Sequence, residues 1–191
     1  PLKLGAYGPE NPATLLTMNN YARMKYFLGD VAGAEASFRD VLAGRRAALG
    51  DSSDQVAVTM NDLARCALAR GHVTEAESLF TESLAIARAR LGPEAMNTNF
   101  VYASLARLHR ERGQHARSVR ELREARGHLA KAMGDANYKL AWVDIELAAS
   151  LGAAGPSREA DSLFASIARA PAASLPPADR PPLVPPEAVT R

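Results

Sequence analysis

The 191 residues include 47% hydrophobic and 23% charged side chains, the balance of an ordinary globular chain. Lys and Arg number 23 against 21 Asp and Glu, so a formal charge of +2 leaves no overall electrostatic footprint for nucleic acid or an anionic membrane. A single cysteine, Cys66, cannot form an internal disulfide and points to a reducing, cytoplasmic setting, while the most apolar stretch, 141–151, is interrupted by Asp144 and Glu146 and reads as no membrane span.

Taken in chain order, the sequence repeats itself. Gly8, Gly50, Gly92 and Gly134 are spaced 42 residues apart, and Gly29, Gly71, Gly113 and Gly155 keep the same step. Two glycines per period predict two helix ends per period, because glycine adopts without penalty the left-handed backbone that closes a helix. Residues 1–8 come first: Ala6-Tyr7-Gly8 matches Ala48-Leu49-Gly50 and reads as the end of a preceding repeat or an N-terminal cap. The chain starts at Pro1 and not at methionine, which fits a segment of a longer protein. Repeats follow at about 9–50, 51–92, 93–134 and 135–170, each predicted as a helical hairpin of helix A and helix B.

In helix A of the second repeat, Met60, Leu63, Ala64 and Ala67 form one apolar stripe at helical spacing; in its helix B, Val73, Ala76, Phe80, Leu84 and Ala87 do the same. Thr74 and Glu77 have the spacing of a capping box near the start of that helix B, and Pro156 suits the first turn of the fourth. Small residues recur where the two helices of a hairpin must approach, at Ala22, Ala64, Ala106 and Ala148 and again at Ala34, Ala76, Ser118 and Ala160. Large ones recur at Phe38, Phe80, Leu122 and Phe164, as knobs for the junction with the next hairpin. A single hairpin cannot bury such faces, so the hairpins must stack. Residues 171–191 hold seven prolines and read as a polyproline-type, disordered tail.

These motifs carry a resemblance. Gly8-Pro9-Glu10-Asn11-Pro12 leading to Met18-Asn19-Asn20-Tyr21-Ala22, and Met60-Asn61-Asp62-Leu63-Ala64 leading to Arg70-Gly71 and Glu75-Ala76-Glu77, resemble the tetratricopeptide repeat in its 42-residue, kinesin-light-chain-like form, over roughly residues 8 to 170. The resemblance implies an all-α, right-handed superhelical solenoid of about four hairpins, with helix A lining a concave groove. The fourth copy departs from the pattern, with Asp144 where the others have Met18, Met60 and Tyr102. Abundant Ala and an excess of Arg over Lys suggest a GC-rich bacterial source.

No phosphate loop, paired cysteines, metal-binding helix motif or nucleophile with its base is present in the sequence, so neither an enzyme nor a cofactor is expected. The scattered histidines His109, His115 and His128 read as solvated or core-edge imidazoles, and Cys66 as a small core residue. One face offers binding chemistry. Opposite the core stripe of helix A lie Leu16, Asn19, Arg23 and Phe27 in the first copy, Val58, Asn61, Arg65 and Ala69 in the second, and Phe100, Ala103, Arg107 and Glu111 in the third. Arg23, Arg65 and Arg107 make a ladder with one rung per repeat, and Trp142 with Ile145 turns the fourth rung apolar.

In the resembled family this face grips extended peptides. The expectation is therefore a protein-interaction module in which Asn19, Asn61, Arg23, Arg65, Arg107 and Trp142 hold an extended, acidic peptide of a protein partner. Two other readings stay open: a merely solvated polar face, and a structural or regulatory spacer packed on the kinase or ATPase domains of a larger signalling protein. The basic helix B of the third repeat, with Arg117, Arg120, Arg123, Arg126 and Lys131, reads as a solvated outer face and not a nucleic-acid patch, because Arg117 and Arg120 stand one turn before Glu121 and Glu124.

Overall fold

Glycine placement explains the architecture first. In the computed structural model, which describes residue 8, residues 10–134 and residues 140–169, all eight glycines of the two series have positive φ. Between them run eight α-helices: α1 (Pro12–Phe27), α2 (Val31–Leu49), α3 (Asp54–Ala69), α4 (Val73–Leu91), α5 (Met96–Glu111), α6 (His115–Met133), α7 (Leu140–Ala154) and α8 (Arg158–Arg169). No strand occurs among the described residues. Residues 1–7 and 171–191, read above as a preceding repeat end and a proline-rich tail, lie outside the described residues.

Gly71 shows how a hairpin turns. At φ 80° its N–H bonds Leu68 O at 3.0 Å while the next N–H, of His72, reaches back to Ala67 O at 2.9 Å, so two carbonyls at the end of α3 are satisfied at once. The same pair of bonds recurs at Gly29 and Gly113. Helix starts are less uniform. Asn11, Ser53 and Asp30 accept a backbone N–H at their helices' first turns, and Pro12 stands in the first turn of α1, where no N–H is needed. The capping box expected of Thr74 and Glu77 does not form. Helix α4 starts two residues earlier, with His72 at the cap position, which puts Thr74 inside the first turn and frees Glu77 to pair with Arg112 at 2.6 Å. Pro156 likewise stands before α8 and not in its first turn, because Ser157 takes the cap role and accepts from the Ala160 N–H at 3.2 Å.

The small and large positions meet as their spacing predicts. Ala22, Ala64, Ala106 and Ala148 have no exposed surface, and neither do Ala34, Ala76 and Ser118. Phe38 and Leu42 of α2 pack with Leu63 and Cys66 of α3; Phe80 and Leu84 of α4 pack with Leu105 and Leu108 of α5; Leu122 of α6 packs with Leu147 of α7. Each core cluster therefore straddles a junction between hairpins, and no hairpin keeps a core to itself. At roughly 1.5–3 kcal/mol per buried large side chain, these junctions are the main source of cohesion.

Ion pairs cross the same junctions, Arg39 to Glu75 at 2.8 Å and Arg123 to Glu159 at 2.5 Å among them. Among the described residues, the helices beyond sequence neighbours whose backbones pack closely are α1 with α3, α3 with α5 and α5 with α7, whereas the B helices reach one another through long ion-pairing side chains. The A helices are thus crowded together and the B helices spread apart, which makes the A side the inner face of a curved stack.

Candidate functional site

The inner face takes one turn of side chains from each A helix, and the arginine ladder occupies it. Arg23 of α1 donates through Nε to Asp62 Oδ2 of α3 at 2.8 Å. Arg107 of α5 stands 3.7 Å from Glu146 Oε1 of α7 and donates to Glu111 at 2.9 Å. Burial opposes charge on Arg107, yet Glu146 and Glu111 more than offset it, and its pKa is raised. In both rungs the carboxylate lies 39 residues ahead of the arginine and is almost wholly enclosed.

The middle rung differs. The residue 39 positions ahead of Arg65 is Ser104, a hydroxyl that bonds Phe100 O of its own helix at 3.1 Å. Arg65 instead spreads its guanidinium over the Tyr26 ring, 4.9 Å from the centroid, and near Phe27 at 5.9 Å, with Asp62 Oδ1, on its own helix, 3.7 Å away. Asp62 already accepts from Arg23. Arg65 therefore has the weakest carboxylate contact of the three, on a flat aromatic platform.

A small cleft of about 20 Å³, open to solvent, forms around it, lined by Tyr26, Arg65, Leu68, Ala69, Phe80, Ser104, Arg107 and Trp142. It unites three of the residues expected from the sequence, Arg65, Arg107 and Trp142. Trp142 is half-buried against Phe100, with ring centroids 5.8 Å apart. Tyr26 was not among the expected residues. It precedes Phe27, which was placed on this face, and the wide arc of an A helix that faces its neighbours brings both rings under Arg65.

The two asparagines are placed differently. Asn61 is half-buried, and its Oδ1 is shut off from solvent with no hydrogen-bond partner. Asn19 is 2% exposed and turned into the first hairpin junction, where its Oδ1 accepts from Arg45 Nη1 at 3.3 Å and lies 3.4 Å from Thr59 Oγ1. It does not reach the pocket. The cause is Arg45, a 3% exposed cation at the position held by Ala87 and Leu129 in later copies. Burial lowers its pKa despite the pull of Asp62, and its Nη1 gathers Thr59 Oγ1 at 2.6 Å, Gln55 O at 2.9 Å and Asn19. An arginine where its repeat mates are apolar was the sequence signal for this polar knot. Arg23 lies one rung away from the pocket, tied to Asp62.

The other reactive side chains are absorbed by packing. Cys66 is fully buried, and burial pushes its thiol pKa up to about 12, so it stays protonated. His109, also buried, has its Nδ1 2.5 Å from Glu121 Oε2, which sits beside Arg117. No group of three or more His, Cys, Asp or Glu suited to a metal occurs among the described residues, and no described helix is long and apolar enough to cross a membrane. On α6 the basic side chains reach acids beyond their own helix, Arg126 to Asp144 of α7 at 2.6 Å and Lys131 to Glu94 of the turn before α5 at 3.5 Å. Asp144, the odd residue of the fourth copy, thereby gains a cross-hairpin partner.

Comparison with known proteins agrees with this geometry. The sequence profile of the tetratricopeptide repeat matches residues 13–89 and again 55–131. No curated protein matches. Among solved structures, the chain is similar to the nearly identical TPR-like repeats of a Podosopora anserina kinesin light chain, at 24% identity, with TM-scores of 0.64 and 0.61 in two crystal structures. Each match covers 87% of this chain and 79% of that one. It is also similar to BtubC (BKLC) from P. vanneervenii, at 20% identity and a TM-score of 0.67, covering 82% of this chain and 62% of that one.

Proposed function

The chain belongs to the tetratricopeptide-repeat family, whose members generally mediate protein–protein interaction, and from that premise we propose that its inner face binds an extended, acidic peptide segment of a protein partner. The observation that carries this reading is the pocket in which Arg65, Arg107 and Trp142 meet, with Arg65 the rung that has Ser104, not an acid, ahead of it. A guanidinium braced on an aromatic ring keeps its forked donors aimed outward, and a peptide carboxylate can take both. Trp142 and Phe100 supply an apolar anchor beside it. Asn61, with an unpartnered acceptor, stands one turn before Arg65 on the same helix, where a modest side-chain rotation would meet a peptide N–H.

The test is a peptide titration. An acidic peptide selected from a library is expected to bind with affinity that falls as salt rises, since exposed charge attraction is screened. Reversing Arg65 to Glu should weaken binding about tenfold or more, whereas reversing Arg120, an exposed cation of α6 on the outer face, should change it little. Equal losses in the two variants would make the attraction diffuse and remove the pocket from the account. If no acidic peptide bound, the spacer reading would take its place.

A further inference from the structure

Two apolar faces of the stack have no partner among the described helices. Tyr21 and Met24 of α1 are 46% and 57% exposed, whereas Leu63 and Cys66, Leu105 and Leu108, and Leu147 and Ser150, one, two and three repeats later, are buried under the preceding helix B. Phe164 of α8 is 46% exposed, whereas its equivalents Phe38, Phe80 and Leu122 are buried against the following helix A. The first face is shaped to receive a helix B and the second to receive a helix A. Both lie on one molecule.

We propose that copies of this chain stack head to tail, α8 of one against α1 of the next, reproducing the junction that joins the chain's own hairpins. The register of the internal junctions fixes which residues would meet. Phe164 would meet Tyr21 and Met24, as Phe38 clusters with Leu63 and Cys66. Charges match as well. The internal pair Arg23–Asp62 becomes Ala149 against Asn20, and the pair Arg39–Glu75 becomes Ala165 against Gly33, so both members of these two pairs are uncharged at this junction. A generic helix A or B would carry one member of a pair and strand it. Two internal pairs are only half kept: Glu35–Arg70 and Glu77–Arg112 become Asp161 against Leu28, a leucine that is 81% exposed, and Arg46–Glu82 becomes Ala172 against Asp40. Such an interface joins unlike faces, so it leaves a free face at each end and propagates.

Sedimentation of the full chain over a wide concentration range tests this. The weight-average mass should climb above the 20.4 kDa of one chain as concentration rises. Met24→Glu and Phe164→Glu should each stay at one chain's mass, with unchanged helical circular dichroism because both side chains are at the surface. Mixed together, the two variants should form dimers and stop there, since each retains one competent face. Leu28→Arg should tighten association by roughly two- to fivefold, by giving Asp161 the partner that Glu35 and Glu77 have. A constant single-chain mass at every concentration would overturn the proposal, meaning that these faces are covered within the polypeptide or serve another partner. So would self-association that survives Phe164→Glu, a mixture that grows past dimers, or a Leu28→Arg chain no tighter than the parent.

Discussion

Glu35 is nearly sealed between helices, yet Arg39, one turn along α2, and Arg70, at the end of α3, both donate to it. Hydrogen bonding from Arg39 holds its carboxyl below the usual 4.5, against the upward push of burial and with help from Arg70. The folded state therefore favours the charged form, and the resulting stabilisation is present in full above about pH 4.5 and is lost as pH falls through the lowered folded value. Glu35→Gln should cost about 1 kcal/mol at pH 7, a modest figure because both arginines are partly solvated. Urea midpoints at pH 7 and pH 3 check this: the gap between variant and parent should shrink at the lower pH, and an equal gap at both would mean that the charge is irrelevant. The ladder obeys the same local logic. Arg23 and Arg107 each meet an acid 39 residues ahead and Arg65 meets Ser104, a distinction that is legible in the sequence once the pairing offset is known. The offset itself was not legible, because a helical wheel gives a residue's angle on its own helix and says nothing of which neighbour lies opposite. Asn19 was misplaced for that reason: its angle suited the inner face, but Arg45 reaches in from α2 to claim it.

Helices end where their glycines stand, and this was the most legible feature of the elements. A left-handed residue every 21 positions leaves little choice of boundary, and the two glycine series mark the ends of A and B helices alike. Starts were harder to read. Caps differ from repeat to repeat, with a side-chain acceptor at Ser53 but none at His72, Ala95 or Gln114, so a Thr74–Glu77 spacing could match a capping box without lying at a helix start. Two glycines separate conformational need from mere presence. A Cβ at Gly71 or at Gly127 would meet nothing within 4 Å, but Gly71 has φ +80° and Gly127 lies in the interior of α6. Gly71→Ala should therefore destabilise the fold by about 1–2 kcal/mol, the cost of a left-handed alanine. Gly127→Ala should instead stabilise it by about 0.5–1 kcal/mol, through helix propensity. Thermal melts of both variants check the sign, and a destabilised Gly127→Ala would show that helix propensity does not govern that position.

At the scale of the whole molecule, the period dictated both the stack and the location of its cohesion. Small residues at fixed phase close each hairpin, large ones bridge to the next, and every core cluster is shared between hairpins. That arrangement brings the A helices together on the inner side, where a ladder built from single residues of successive repeats becomes a continuous face. Periodicity located the face and the arginines. The pocket within it depends on breaks in the period, namely Ser104 among acids and Trp142 among smaller neighbours, whose effect emerges only when four helices are assembled. The claim that Arg65 reads a carboxylate because nothing ahead of it does is tested most directly by supplying one. Ser104→Asp would place an acid where Asp62 and Glu146 stand for the other two rungs, and isothermal titration of the acidic peptide into parent and variant should show affinity reduced about tenfold, the loss of one charge-assisted contact of roughly 1.5 kcal/mol. An affinity equal to the parent's, in a variant whose helical circular dichroism is intact, would contradict the account.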